Sequence, residues 1–273
     1  MIHPASRASL AELYRSLDGV VASTPAPALA SLSTELYAVC ALLVGQPQLR
    51  RTLGDGSTAP EGRAELIGRL LTGQVSTAAA DIVRFVAARR WSSPWDLADA
   101  VEIAGDELQL AAAEQQGQLG SVEDELFRFE RILAAEGELM SLLDEAGATP
   151  QRRTALLRTL ISGKVSAPTE ALLEHAVAST RKRGILLAVD DLLEAVARRQ
   201  SRSIARVTSA VPLTDAQQQV LAQKLSQMYH TPISVRVAVD PKIQGGLVIR
   251  VGDELIDASI SRRLADAKSA LAV

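Results

Sequence analysis

The chain has 273 residues, 47% of them apolar and 22% charged, proportions that exclude a wholly disordered chain and leave room for one large domain or two to three small ones. A formal net charge of −3 excludes a whole-chain attraction to nucleic acid or to an acidic membrane. With aromatics at only 3%, a core must be built from Leu, Ala, Val and Ile, which favours helices packed on helices.

The opening, "MIHPASRASLAELYRSL", lacks the apolar centre of a signal peptide and the Arg-rich character of an organelle presequence. No apolar run approaches the ~18 residues of a membrane span. Cys40 is the only cysteine, so no internal disulfide can form; in the run "YAVCALLV" it reads as a buried, inert thiol. Asn is absent, and with it any glycosylation sequon. A soluble intracellular protein is expected.

Glu35 to Ser76 can be laid over Glu125 to Ser166, 90 residues later, without a gap. Identities include Glu35/Glu125, Leu36/Leu126, Pro60/Pro150, Arg63/Arg153, Gly73/Gly163 and Ser76/Ser166, and Tyr37 faces Phe127. Shared Leu content explains some pairs, but not Pro, Gly and a closing "VS" in one register. The register extends weakly to Ala8 and the stretch from Leu97. Each copy predicts short amphipathic helices. "ELIGRLLTG" and "ALLRTLISG" end in glycine, a helix stop, while Pro60 and Pro150 sit where a helix starts. Gly54 to Gly62 is expected to be a flexible loop, and a last long helix runs from about Leu186 to Ser203.

The period changes near Val207. "VTSAVPL" predicts a strand and "TDAQQQVLAQKLSQMY" a helix, opened by a capping box of Thr214 and Gln217. "PISVRVAVD" alternates, with Ile233, Val235, Val237 and Val239 on one face. "LVIRV" and "ELIDASI" flank Gly252-Asp253 as a hairpin, and "SRRLADAKSALA" predicts a closing helix. The fold class expected is mainly α: two tandem helical bundles, 1–95 and 96–206, then a small α/β domain with a β-hairpin at 207–273.

The glycine-dense stretch "VDPKIQGGLVIRVGDELIDAS" could be a phosphate cradle, a metal loop or turns. A phosphate loop needs Gly-Lys-Ser/Thr at a strand-to-helix turn, whereas Gly245-Gly246 leads into a strand. Asp253, Glu254 and Asp257 lack the alternation of a calcium loop. The glycines are read as turn residues. His3, His175 and His230 are scattered without metal-ligand spacing, and no serine lies in a nucleophile elbow. No catalytic, cofactor or metal site is expected. Arg181 to Arg206 is locally basic and Glu123 to Glu145 acidic. A basic stripe can bind nucleic acid, yet it lacks interleaved aromatics and the chain overall is acidic, so a solvated or partner-facing helix is the preferred reading.

"VTSAVPLTDAQQQVLAQKL" and "VDPKIQGGLVIRVGDELIDASISRRL" resemble the signature of the ATP synthase delta subunit family, which includes the mitochondrial oligomycin-sensitivity-conferring protein. The likeness is close over Val207 to Leu264 and looser over the second repeat, while "SLAELYRSLDGVV" resembles a degraded form of the family's opening helix. It implies a non-catalytic peripheral-stalk protein on the cytoplasmic face of a bacterial plasma membrane. One helical domain would bind the N-termini of the alpha subunits, and the C-terminal domain the membrane-anchored b subunit. Carried over, Leu13, Tyr14, Leu17, Arg263 and Leu264 are partner-binding candidates. Gly245, Gly246 and Gly252 would set turns, with Asp257 and Ser259 structural. Family members ordinarily have one helical domain, so this chain carries an extra unit of about one repeat length, expected to lengthen or brace the stalk, and either repeat could cap the head. A helical scaffold or nucleic-acid regulator using 181–206 is the alternative.

Overall fold

A computed structural model describes residues 6–145, 147–179, 184–202, 204–229, 233–240, 243, 245–251 and 254–257. The chain divides into two compact units, Met1–Val196 and Ala197–Val273. Among the described residues the first unit holds α1 (Arg7–Ser23), α2 (Ala26–Gly45), α3 (Pro47–Gly54), α4 (Pro60–Leu71), α5 (Thr77–Ala88), α6 (Pro94–Gln115), α7 (Leu119–Ala135), α8 (Gly137–Leu143), α9 (Pro150–Ile161) and α10 (Ala167–Ala178), with most of α11 (Gly184–Arg202). The 90-residue register is visible in the elements themselves: α4 and α9, and α5 and α10, have bounds 90 apart at both ends.

Each bundle closes on leucines at helical spacing. In α2, Leu29, Leu32, Leu36, Val39, Cys40 and Leu43 recur every three or four residues, form one face, and are buried in a first core with Leu13, Leu17, Leu53, Ile67 and Val83. Cys40 is therefore a core thiol. By length and composition α2 is the one helix among those described that could cross a membrane. This corrects the expectation that no run comes near that length. Ser31, Ser33, Thr34 and Glu35 interrupt the run in sequence, and its leucines line the core. The second core gathers Leu126, Phe129, Leu133, Leu157, Ile161, Leu173, Val189 and Val196.

The helix α6 belongs to both. Its Leu97, Val101, Ala104 and Leu108 enter the first core, while Leu110 and Ala113 enter the second. Starting 90 residues before α11, it closes the first bundle as α11 closes the second. Its small residues are buried on almost every side.

The expected loop at Gly54 to Gly62 is shorter than its composition suggests. Gly54 ends α3, Pro60 begins α4, and the Asp55 carboxylate accepts from the Ser57 amide at 2.9 Å in the turn between them. Gly54 is packed, because a β-carbon there would lie 2.7 Å from the Pro94 Cα. The equivalent joint reverses the sizes: Asp144 stands at the helix end, Gly184 makes room for it, and the Asp144 carboxylate accepts from the Ile185 amide at 2.7 Å. The glycine stops Gly73 and Gly163 both have φ of 72°, a left-handed conformation that favours glycine.

The second unit holds β1 (Ile204–Ser209), α12 (Asp215–Tyr229), β2 (Ser234–Val239), β3 (Leu247–Val251) and β4 (Glu254–Asp257), in sheet order β2-β1-β3-β4. The strand β1 starts three residues before the expected Val207 and pairs parallel with β2 across α12. It pairs antiparallel with β3, as β3 does with β4. Val251 stands opposite Glu254; the expected turn at Gly252-Asp253 and the closing helix lie outside the described residues. Ala205, Val207, Val235, Val237, Ile249, Val251 and Ile256 form one apolar face with Leu225 of α12. The capping box holds α12: Thr214 N–H donates to the Gln217 side chain at 2.9 Å and Gln217 N–H to Thr214 Oγ1 at 3.3 Å.

Candidate partner-binding site

The helix α1 is pinned at its first turn. Ser6 Oγ donates to Asp96 at 2.6 Å, Ser9 Oγ to the Arg90 carbonyl at 2.6 Å, and Glu12 pairs with Arg89 at 2.8 Å. At the other end Gln115 donates to the Val21 and Thr24 carbonyls, both at 3.2 Å. Of the predicted contact residues, Leu13 and Leu17 are 1% and 3% exposed and point into the first core. They set the position of α1; its outer face is Ala8, Ala11, Arg15 and Asp18, with Tyr14 half-buried beside it. Gly245 and Gly246 have φ of 110° and 84°, as turn residues before β3 should. Asp257 ends β4, while Gly252, Ser259, Arg263 and Leu264 lie outside the described residues. So do His3, His230 and the basic Arg181 to Arg183.

The duplicated glutamates do matching work in the two bundles. Glu35 accepts from the Ser76 amide and hydroxyl at 2.9 and 2.6 Å. Glu125 accepts from the Ser166 amide at 3.0 Å and hydroxyl at 2.7 Å. Each ties the second helix of its bundle to the N-terminus of the fifth, where a carboxylate also complements the helix dipole. Burial alone would push Glu125 up, but hydrogen bonds from Thr169 and Ser166 outweigh it and hold the carboxyl below its ordinary value. Repeated arginines tie helix ends together from inside. The buried Arg63 donates to the carbonyls of Leu53, Asp55, Ala88 and Arg89 at 3.2–3.4 Å, and Arg153 donates to that of Ala178 at 3.3 Å. Arg50, also buried, reaches the Leu43 carbonyl at 2.7 Å and stacks over Trp95.

At the junction of the bundles a polar cluster gathers around α6. The Tyr37 ring of α2 stacks on His175 of α10, with centroids 3.7 Å apart and planes within 8°. Tyr37 Oη donates to Asp106 at 2.8 Å. Glu102 meets His175 Nε2 at 2.9 Å and accepts from Ser179 Oγ at 2.5 Å. Burial, then the Glu102 charge, push Asp106 well above the ordinary carboxyl range; burial and the Asp106 charge raise Tyr37 likewise. Gly105 allows this approach, since a β-carbon there would stand 2.6 Å from Tyr37 Cε1. Nothing in the sequence signals this contact, as residues 37 and 175 share no motif. At the position of Tyr37 in the second bundle, Phe127 is 52% exposed.

These residues join helices. Two bundles braced through a shared helix, followed by a separate α/β unit, define a mainly α protein with a small α/β domain. The profile of the ATP synthase delta (OSCP) subunit family matches residues 109–271, that is, the second bundle and the α/β unit. "ATP synthase subunit delta" of Streptomyces coelicolor is 41% identical over 99% of this chain and 98% of its own length. The same-named proteins of Thermobifida fusca and Corynebacterium diphtheriae are 40% and 39% identical over 98% and 99% of this chain. These alignments include the first bundle, so the longer form is shared by those relatives. A chain of the cryo-EM structure of the Toxoplasma gondii mitochondrial ATP synthase hexamer is 18% identical, covers 62% of this chain and 97% of that chain, and has a TM-score of 0.29. The protein belongs to the ATP synthase delta (OSCP) subunit family, and as such is a peripheral-stalk component of the membrane-bound ATP synthase.

Proposed function

We propose that this subunit is a non-catalytic stator link at the cytoplasmic face of the plasma membrane. A helical bundle binds the N-terminal segments of the alpha subunits at the top of the catalytic head. The 207–273 domain binds the membrane-anchored b subunit, and the chain resists rotor torque. The observation that carries this reading is the family match over 109–271, which joins one bundle to the α/β unit in a single chain. Two modest contacts on one chain hold far better than either alone, because the second becomes intramolecular. The bundle at 1–95 supplies a second capping surface or a brace, with the outer face of α1 and Tyr14 as its contact; Arg263 and Leu264 contribute to the b contact.

The test is calorimetric titration of the whole chain with a peptide of the alpha subunit's N-terminal segment, in the unchanged protein and in Ala11→Glu, Tyr14→Ala and Phe127→Ser variants. Leu13 and Leu17 are unsuitable, since a carboxylate at a buried site would unfold the bundle. Loss of affinity in the α1 variants assigns the cap to the first bundle, and loss in Phe127→Ser to the second. Absence of binding by the unchanged chain, with salt-dependent binding of duplex DNA instead, would overturn the reading.

A further inference from the structure

The apolar cores of the two bundles are separate clusters, and α2 meets α10 across α6 through polar side chains. Two carboxyls serve that meeting point. Glu102 and Asp106 are four residues apart on α6, so they share a face, with β-carbons about 6 Å apart. Glu102 takes the His175 ring of α10 and the Ser179 hydroxyl at its end. Asp106 takes the Tyr37 hydroxyl of α2. The charges that act on Asp106 are Glu102 and Glu107 of its own helix and Asp191 of α11, all of them acidic. The base of the cluster is His175, whose side chain is 10% exposed against 21% for Glu102. With both carboxyls ionised, one imidazole faces two negative charges in a site largely closed to water. The pair is also particular to the junction. Ninety residues on, the same positions of α11 hold Leu192 and Val196, 5% and 0% exposed in the second core.

We propose that this cluster is a proton-linked latch between the bundles: α2 and α10 close across α6 with a proton held at Asp106, and part when that proton leaves to solvent. Two carboxyls this close titrate as a pair, so one keeps its proton after the other has lost it. Asp106 is the holder because Glu102 already accepts two donors, whereas Asp106 faces a hydroxyl that can either donate or accept. Burial, then the Glu102 charge, raise Asp106 more than the Tyr37 bond lowers it. The proton-bound, closed state is therefore favoured below the ordinary aspartate value and is lost as pH rises through the raised one. Opening wets both carboxyls and relieves their burial, while α6 stays continuous. The latch thus changes how firmly one bundle is held against the other and leaves the connection between them intact. It gives the stalk a joint whose stiffness follows the local pH.

The test uses the whole chain with nitroxide labels at Ser31→Cys on α2 and Arg152→Cys on α9, both exposed positions, and with Cys40 shielded in the core. Pulsed electron resonance reads the distance between the labels across a pH series from the ordinary carboxyl range to the alkaline side of neutrality. One narrow distance is expected at the acid end, broadening or lengthening as pH rises. Asp106→Asn should keep the narrow distance throughout, since its amide has the shape of the protonated carboxyl and cannot ionise. Tyr37→Phe keeps the stack but removes the bond that favours the ionised form, so its transition should move to higher pH. Melting temperatures separate the latch from a merely structural carboxylate. The Asp106→Asn chain should melt with the unchanged chain at the acid end and above it at the alkaline end. A carboxylate needed in its ionised form would give the opposite order. A distance that does not change with pH, a transition unaltered by Asp106→Asn, or a lower alkaline melting temperature in that variant would each overturn the proposal. No partner enters these measurements, so their outcome is independent of the stator reading.

Discussion

Replacing Gly105 by Ala tests the packing of the junction most directly. The new β-carbon would lie 2.6 Å from Tyr37 Cε1 and 2.8 Å from Cδ1, where comfortable carbon contacts begin near 3.5 Å, so the ring must retreat by about 1 Å. It has little room, because His175 is stacked on it and its hydroxyl is bonded to Asp106. Overpacking of this kind costs about 1–3 kcal/mol, and a strained bond to a buried carboxyl adds about 1 kcal/mol. Against this, alanine gains about 1 kcal/mol over glycine inside a helix. The expected net loss is about 1–3 kcal/mol, seen as a fall in melting temperature of roughly 2–4 °C per kcal/mol for a unit of this size. The assay is urea unfolding followed by circular dichroism in a double-mutant cycle with Tyr37→Ala. Without the ring, Gly105→Ala should become stabilising by about 0.5–1 kcal/mol. If it stabilises with Tyr37 in place, or if its sign is the same in both backgrounds, the steric account is wrong.

Arg63→Ala should cost about 3 kcal/mol in the same unfolding assay, because four carbonyls lose their donor; Arg63→Lys should not rescue it, since an ammonium cannot span the two pairs of carbonyls. The depressed carboxyl of Glu125 gives a stabilising contribution that is present above the ordinary glutamate value and is lost as pH falls below it through the lower folded value. A series of melts across that window should show a shallower acid slope in Glu125→Gln than in the unchanged chain.

How much of this was legible in the sequence depends on the range of each interaction. The Thr214–Gln217 box is three residues long and reads directly. The 90-residue register pointed to Glu35 and Ser76 and their copies as matching positions, although only coordinates show that they bond. Arginine composition suggests solvated faces, and nothing in a helical pattern tells a buried guanidinium from an exposed one. Arg63 and Arg153 could have been found only by asking why a charged residue recurs at the same place in both copies. The burial of Leu13 and Leu17 follows from their spacing, and a contact role was assigned to them from the family resemblance rather than from that spacing. The Tyr37–His175 stack joins residues 138 positions apart, with no periodicity to announce it. The pairing of β1 with β2 and β3 depends on strand register, which the alternation of each strand alone does not specify.

The two-sided burial of α6 bears on how such a chain can grow or shrink. A duplication that ends inside a helix adds five helices and borrows the sixth, so no flexible tether separates old from new. At 22 residues, α6 runs about 33 Å as continuous hydrogen-bonded backbone between the two cores. A twist applied to one bundle therefore passes to the next along a rod. The same economy has a cost in evolvability. Cutting near residue 95 would bare Leu97, Val101, Ala104 and Leu108 to water, and cutting after residue 115 would leave the second core without its Leu110 and Ala113. Once made, the fusion is a ratchet: neither copy can be deleted without leaving the other with an open core.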